Sequence, residues 1–186
     1  MVTHDEFAEA IRLLLDEGFT FTVIGGTIVE VKLGSRDLGD DIDLLAESPD
    51  VMTSEDEYFS LANRRGWVIG QTWLGTPRIL VRIGDSEIPV EFYDNLLDFY
   101  VPPSMLERAE RVRIGEVRVK MLRLEDHIVL KAHAGREKDL KRLQEIARHI
   151  RKGRLSIDKD IIRRAIDEFE ENTVIIRRLR DSGIPV

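Results

Sequence analysis

With 186 residues and no cysteine, the chain is long enough to bury a core of its own, and disulfides, thiolate zinc sites and cysteine nucleophiles are excluded. A net charge of −7 with 34% charged residues argues against a general nucleic-acid coat, and no apolar run approaches the roughly 20 residues that span a bilayer. The N-terminal stretch from Met1 to Glu6 is acidic rather than basic-then-apolar, so no membrane association and a cytoplasmic location are expected. The total charge hides an asymmetry: residues 1–106 hold 7 basic and 20 acidic side chains, residues 107–186 hold 21 and 15. The acidic part suits a metal ion and the basic part suits phosphate.

The first helix is expected to start at Thr3, where Thr3-x-x-Glu6 has the form of a capping box, with Phe7, Ile11, Leu14 and Leu15 on one face and Gly18 as its stop. Phe19 to Ile24 reads as a strand broken by Gly25-Gly26, and Thr27 to Leu33 as a short helix. A polar loop leads to a strand from Asp41 to Ala46. Ser54-x-x-Glu57 repeats the capping-box pattern before a helix that ends at Gly66. Trp67–Trp73, Arg78–Ile83 and Glu87–Tyr93 form an antiparallel meander separated by turn residues. After Pro102-Pro103 come a short helix, a hairpin at 111–120 and then helices to near the end, marked by Leu124, Ile128 and Ala132, by Leu140, Leu143 and Ile150, and by Ile162, Ile166 and Phe169. The chain therefore divides into an α/β (α+β) domain over residues 1–100 and a mostly helical region over 101–186.

The informative segment joins Gly25-Gly26-Thr27 to Asp41-Ile42-Asp43-Leu44. Strand side chains alternate faces, so Asp41 and Asp43 project together while Ile42 and Leu44 enter the core. Two carboxylates held close repel one another unless a cation lies between them, and hard oxygen donors suit Mg²⁺ or Mn²⁺. With Ile88, Val90 and Phe92 facing the core, Glu91 offers a third carboxylate. Asp94 is the competing candidate, and a register slip of one residue exchanges faces. Glycines between a strand and a helix let an anion approach backbone N–H groups at the helix start, and Thr27 adds a hydroxyl donor. The alternative is a tight turn with no ligand. His127 and His133 lack helical zinc spacing, and neither a P-loop nor a nucleophile elbow is present.

The string GGTIVEVKLGSRDLGDDIDLL resembles the nucleotide-binding core of the polymerase-beta-type nucleotidyltransferase superfamily. The resemblance implies a mixed, largely antiparallel sheet flanked by helices, with Asp41, Asp43 and Glu91 as catalytic metal ligands. The stretch Leu124-Glu125-Asp126-His127-Ile128-Val129-Leu130-Lys131, with Ala134-Gly135-Arg136-Glu137-Lys138-Asp139-Leu140, looks like the helical region of the toxin- and abortive-infection-associated branch. That likeness implies Lys131 and Arg136 as partners of the nucleotide phosphates, beside the candidates Gly25, Gly26, Thr27 and Arg36 of the N-terminal segment, with Gly135 interrupting the helix so that Lys131 and Arg136 reach one site. The chain departs from the branch in having Gly39-Asp40 before the first aspartate, where a Thr or Ser is usual. The implied activity is transfer of a nucleoside monophosphate from a nucleoside triphosphate to an acceptor hydroxyl on RNA, such as tRNA, or on protein. The competing reading is a non-catalytic, antitoxin-like binding protein of the same fold. The sequence carries no signal for oligomeric state.

Overall fold

The computed structural model describes residues 1–95 and 99–186. Its chain divides into two compact units, one of residues 1–100 with 109–121 and one of residues 101–108 with 122–186. In the first unit, helix α1 (His4–Asp16) begins as expected: Thr3 accepts from the Glu6 amide while the Glu6 carboxylate accepts from the Thr3 amide, so both arms of the capping box form. Phe7, Ile11 and Leu14 are buried. Leu15, expected beside them, is exposed because it lies one step around the helix from Leu14.

Strand β1 (Thr20–Val23), helix α2 (Thr27–Leu33) and strand β2 (Ile42–Ser48) follow. Helix α3 (Glu55–Arg65) starts at Ser54 without a side-chain cap. The expected capping box is therefore absent there, and the Asp50 carboxylate instead accepts from the amides of Met52 and Thr53, organising the turn ahead of the helix. Strands β3 (Val68–Gln71), β4 (Pro77–Ile83) and β5 (Ser86–Tyr93) make the antiparallel meander.

The strands join one mixed sheet of order β3-β4-β5-β2-β1-β7-β6, where β6 (Glu110–Ile114) and β7 (Val117–Met121) form the late hairpin. The sequence assigns that hairpin to the C-terminal region, yet β7 pairs in parallel with β1, Thr22 opposite Lys120, and so extends the first unit's sheet. Strand propensity alone does not say which open edge a hairpin will find. One face of the sheet is apolar: Val23, Ile42, Leu44, Ile79, Val81, Val90 and Phe92 are buried. Phe19, Tyr58 and Phe92 pack edge to face on it, with ring centroids 5.1 and 4.9 Å apart. The opposite face carries Asp43, Glu91, Arg78 and Tyr93.

The second unit is helical: α4 (Pro103–Glu107), α5 (Leu124–Ala134), α6 (Glu137–Arg151), α7 (Lys159–Ile166) and α8 (Asn172–Asp181). Its centre is α5, buried around most of its circumference at the N-terminal end, Glu125, Asp126 and His127 included. Those polar side chains need internal partners. Asp126 receives the Arg108 guanidinium, which also bridges to Glu168 at 2.6 Å, and Glu125 accepts from the Asp158 amide at 2.8 Å. Among the described residues no helix is long and apolar enough to cross a membrane.

Candidate active site

Adjacent central strands bring the acids together. Strands β2 and β5 run parallel with Asp43 opposite Glu91, and Ile42 opposite Val90 on the core side. Asp41 precedes β2 by one residue and, by alternation, projects with Asp43. One carboxylate oxygen from each of Asp41, Asp43 and Glu91 lies within 4.8 Å of the others. The register thus selects Glu91, and Asp94, just past the strand, instead accepts from the Asn95 amide at 2.6 Å.

The cluster is electrostatically loaded. Burial, then the carboxylates of Glu91 and Asp40, push the Asp41 pKa above the usual carboxylate range, with Arg78 pulling the other way. Three hard oxygen donors at this separation fit a divalent cation of the Mg²⁺ or Mn²⁺ type, whose charge would relieve that repulsion. Glu91 is held on both oxygens: Arg78 donates from Nε to Oε1 at 3.0 Å, and the Tyr93 hydroxyl donates to Oε2. Burial first, then the bond to Glu91 and the nearby Asp43, push the Tyr93 phenol upward. It therefore stays a proton donor.

Gly25 has a duty the sequence does not announce. Its φ is +72°, and a Cβ built there would lie 1.8 Å from Asp43 Oδ2 and 2.7 Å from Asp43 Cβ. Only glycine combines that backbone with that proximity, so the residue makes room for the metal-type carboxylate itself. Gly26 caps α2, accepting from Val29 at 3.1 Å, and has open space where a Cβ would be. Thr27 is only 2% exposed and donates to the Leu38 carbonyl at 3.3 Å, a contact that ties α2 to the loop before the first aspartate. Arg36 is exposed in that loop, where its carbonyl lies 3.1 Å from His4 Nδ1.

Lys131 and Arg136 belong to the second unit. Gly135 ends α5 in the left-handed conformation, and beyond it the two cations converge on one carboxylate: Lys131 Nζ lies 2.8 Å from Asp139 Oδ1 and Arg136 Nε 2.6 Å from Oδ2. Asp139 is 1% exposed. Burial works against its ionisation, but the bonds from Arg136 and Lys131 prevail and hold its pKa below the usual range. A Cβ on Gly135 would meet the Arg178 guanidinium at 2.2 Å, and that group donates to the carbonyls of Ala132 and His133 at the end of α5. His127 is 3% exposed with Nε2 unpartnered, and burial, then Lys131 and Arg142, lower its pKa to about 3. It is a neutral residue of the interior.

Sequence reasoning overlooked Arg78, Tyr93, Asp139 and Arg178. The first had a signal: the tight turn at Gly84-Asp85 pairs Ile83 with Ser86 and, counting outward, Arg78 with Glu91. Tyr93 shares a strand face with Glu91 by alternation. Asp139 had only the local one of Arg136 three residues before it, its bond to Lys131 crossing a helix break, and Arg178 had none, since its partners lie on another helix.

Over residues 3–181 the chain matches the family described as nucleotidyl transferase of unknown function (DUF2204). No curated protein sequence matches it. Among solved structures it is similar to an antigenic nucleotidyltransferase-like protein from Paracoccidioides brasiliensis, with 13% identity over 97% of this chain and 77% of that one and a TM-score of 0.45. It is also similar to the antibiotic-resistance factor ANT(2'')-Ia. The solution structure of that factor gives 14% identity, coverage of 94% and 88%, and a TM-score of 0.48. Its crystal structure with adenylyl-2''-tobramycin gives 16%, coverage of 96% and 97%, and 0.49.

Proposed function

Since the chain belongs to this nucleotidyl transferase family, we propose that it moves a nucleoside monophosphate from a nucleoside triphosphate to an acceptor hydroxyl. The observation that carries the reading is the convergence of Asp41, Asp43 and Glu91 within 4.8 Å on two central parallel strands. The acceptor oxygen forms a bond to the α-phosphorus as the α–β bridging bond breaks, pyrophosphate leaves, and the acceptor proton passes to solvent. Mg²⁺ or Mn²⁺, when bound, supplies charge neutralisation at the leaving phosphates and a sharper acceptor oxygen.

The chain's own contribution is positional. Asp41, Asp43 and Glu91 serve as the ligand set, with Asp43 locked against the Gly25 bend and Glu91 between Arg78 and Tyr93. Gly25 and Gly26 offer backbone to the triphosphate. The Thr27 hydroxyl, spent on the Leu38 carbonyl, acts by shaping the bend. Arg36 supplies positive charge for the phosphates within the first unit, and Lys131 and Arg136, prearranged by Asp139, are the cations the second unit offers to a phosphate. The stretch from Leu124 to Leu140 supports placement in the toxin- and abortive-infection-associated branch, acting in the cytoplasm on RNA or protein. Incubation with radiolabelled nucleoside triphosphates, Mg²⁺ and cell lysate tests this: label enters RNA, protein or a small molecule with the parent chain. Asp43→Asn abolishes the transfer while circular dichroism stays unchanged. Equal incorporation by parent and variant refutes the metal role.

A further inference from the structure

Glu91 enters the acidic cluster with each carboxylate oxygen already engaged, by Arg78 Nε at 3.0 Å and by the Tyr93 hydroxyl. A carboxylate offers about four lone-pair sites, so two donors leave acceptor capacity on both oxygens while removing the freedom of the group to turn. Glutamate needs that restraint more than aspartate does, because its extra methylene adds a torsion. The two donors stand on rigid elements: Arg78 is the cross-strand partner of Glu91 on β4, and Tyr93 lies two residues along β5 on the same face, its ring 5.2 Å from that of Phe99.

Building on the metal-dependent reading above, we propose that Arg78 and Tyr93 are positioning residues that fix the Glu91 carboxylate as a divalent-cation ligand. Groups that orient metal ligands from behind change metal affinity when removed, typically by about 10- to 100-fold. The plainer account makes Arg78–Glu91 a surface ion pair, since the Arg78 side chain is 40% exposed, and makes Glu91 a convenient acceptor for a buried phenol. A matched control separates the two. Arg82 and Glu87 pair on the same two strands and the same face at 3.4 Å, away from the cluster.

The test is Mn²⁺ titration of the full chain by calorimetry without nucleotide, on the parent, Asp43→Asn, Tyr93→Phe, Arg78→Met and Arg82→Met, each first checked for a parent-like thermal melt. Tyr93→Phe removes one oxygen and keeps the ring, and it is expected to weaken Mn²⁺ binding by about 10-fold or more. Arg78→Met weakens it in the same direction, whereas Arg82→Met leaves it unchanged. Should Tyr93→Phe melt early, the exposed Arg78 and Arg82 pair carries the comparison alone. Parent-like affinity in both Tyr93→Phe and Arg78→Met overturns the proposal, as does equal loss in Arg78→Met and Arg82→Met. Tighter binding by Arg78→Met also overturns it, because the guanidinium then acts as a competing counter-ion. If the parent binds Mn²⁺ and Asp43→Asn does not, the metal reading stands whatever the positioning variants do. A folded parent that binds no Mn²⁺ removes both.

Discussion

Two aspartates in this chain meet opposite fates. Asp41, at the mouth of β2, is crowded by Glu91 and Asp40, and its pKa is raised. Asp139, at the start of α6, lies between Lys131 and Arg136, and its pKa is lowered although it is the more deeply buried of the two. Burial pushes both in the same direction, so the neighbours decide. The contrast separates a carboxylate that the fold leaves in need of a cation from one whose cations the fold has already supplied. The first could take a metal ion, and the second holds other side chains in place.

The comparison can be broken hardest at Gly25. Gly25→Ala forces an L-residue into φ +72° and drives its Cβ into both Asp43 Oδ2 and Asp43 Cβ, which the strand backbone does not let retreat. A loss of about 3 kcal/mol is expected from the left-handed strain and the overlap together, measured by urea unfolding, with Mn²⁺ binding lost as Asp43 is displaced. A smaller effect follows at Asp139. Asp139→Asn removes charge-assisted bonds to Lys131 and Arg136 and is expected to cost about 2 kcal/mol at pH 7. Because the folded pKa is depressed, that contribution is complete above the unfolded carboxyl value of about 3.9 and disappears as pH falls through the folded one. Unfolding curves of parent and variant therefore converge in acid.

The smallest effect has the opposite sign. With its folded pKa raised, Asp41 contributes stability below the unfolded value and loses it as pH rises through the folded value. At neutral pH, Asp41→Asn relieves repulsion and stabilises the metal-free chain by less than about 1 kcal/mol given the exposure of the site, which a higher melting point reports. Adding Mn²⁺ reverses the order, since only the parent gains the full binding energy. A metal-free Asp41→Asn chain less stable than the parent removes the contrast between the two regions.

The sequence made the acidic site legible because it depends on alternation along two strands: Asp41 with Asp43, and Glu91 opposite to Val90 and Phe92. It left the choice between Glu91 and Asp94 to register, and the parallel pairing of β2 with β5 decides for Glu91. Less was legible wherever a partner lies outside the local period. The duty of Gly25 depends on which atom rests against its α-carbon, and the string shows only that a glycine is there. The hairpin at 110–121 reads correctly as a hairpin, while its attachment beside β1 is a long-range pairing with no local mark. Asp139 gathers Lys131 across a helix break, and Arg178 covers the end of α5 from another helix. The Ser54 pattern shows the converse: the spacing of a cap is present, yet Asp50 takes over the turn.

The packing of the Gly25 α-carbon against Asp43 binds two positions into one heritable unit. While the aspartate is needed, no side chain can arise at 25, however mild the substitution. If the role proposed for Asp43 is lost and a small residue replaces it, the steric half of that prohibition lapses, and asparagine, which tolerates left-handed backbone, becomes acceptable at 25. Descendants that have given up the chemistry but kept the scaffold would then carry a paired change at these two sites, a molecular scar by which retired members of the lineage can be told from working ones.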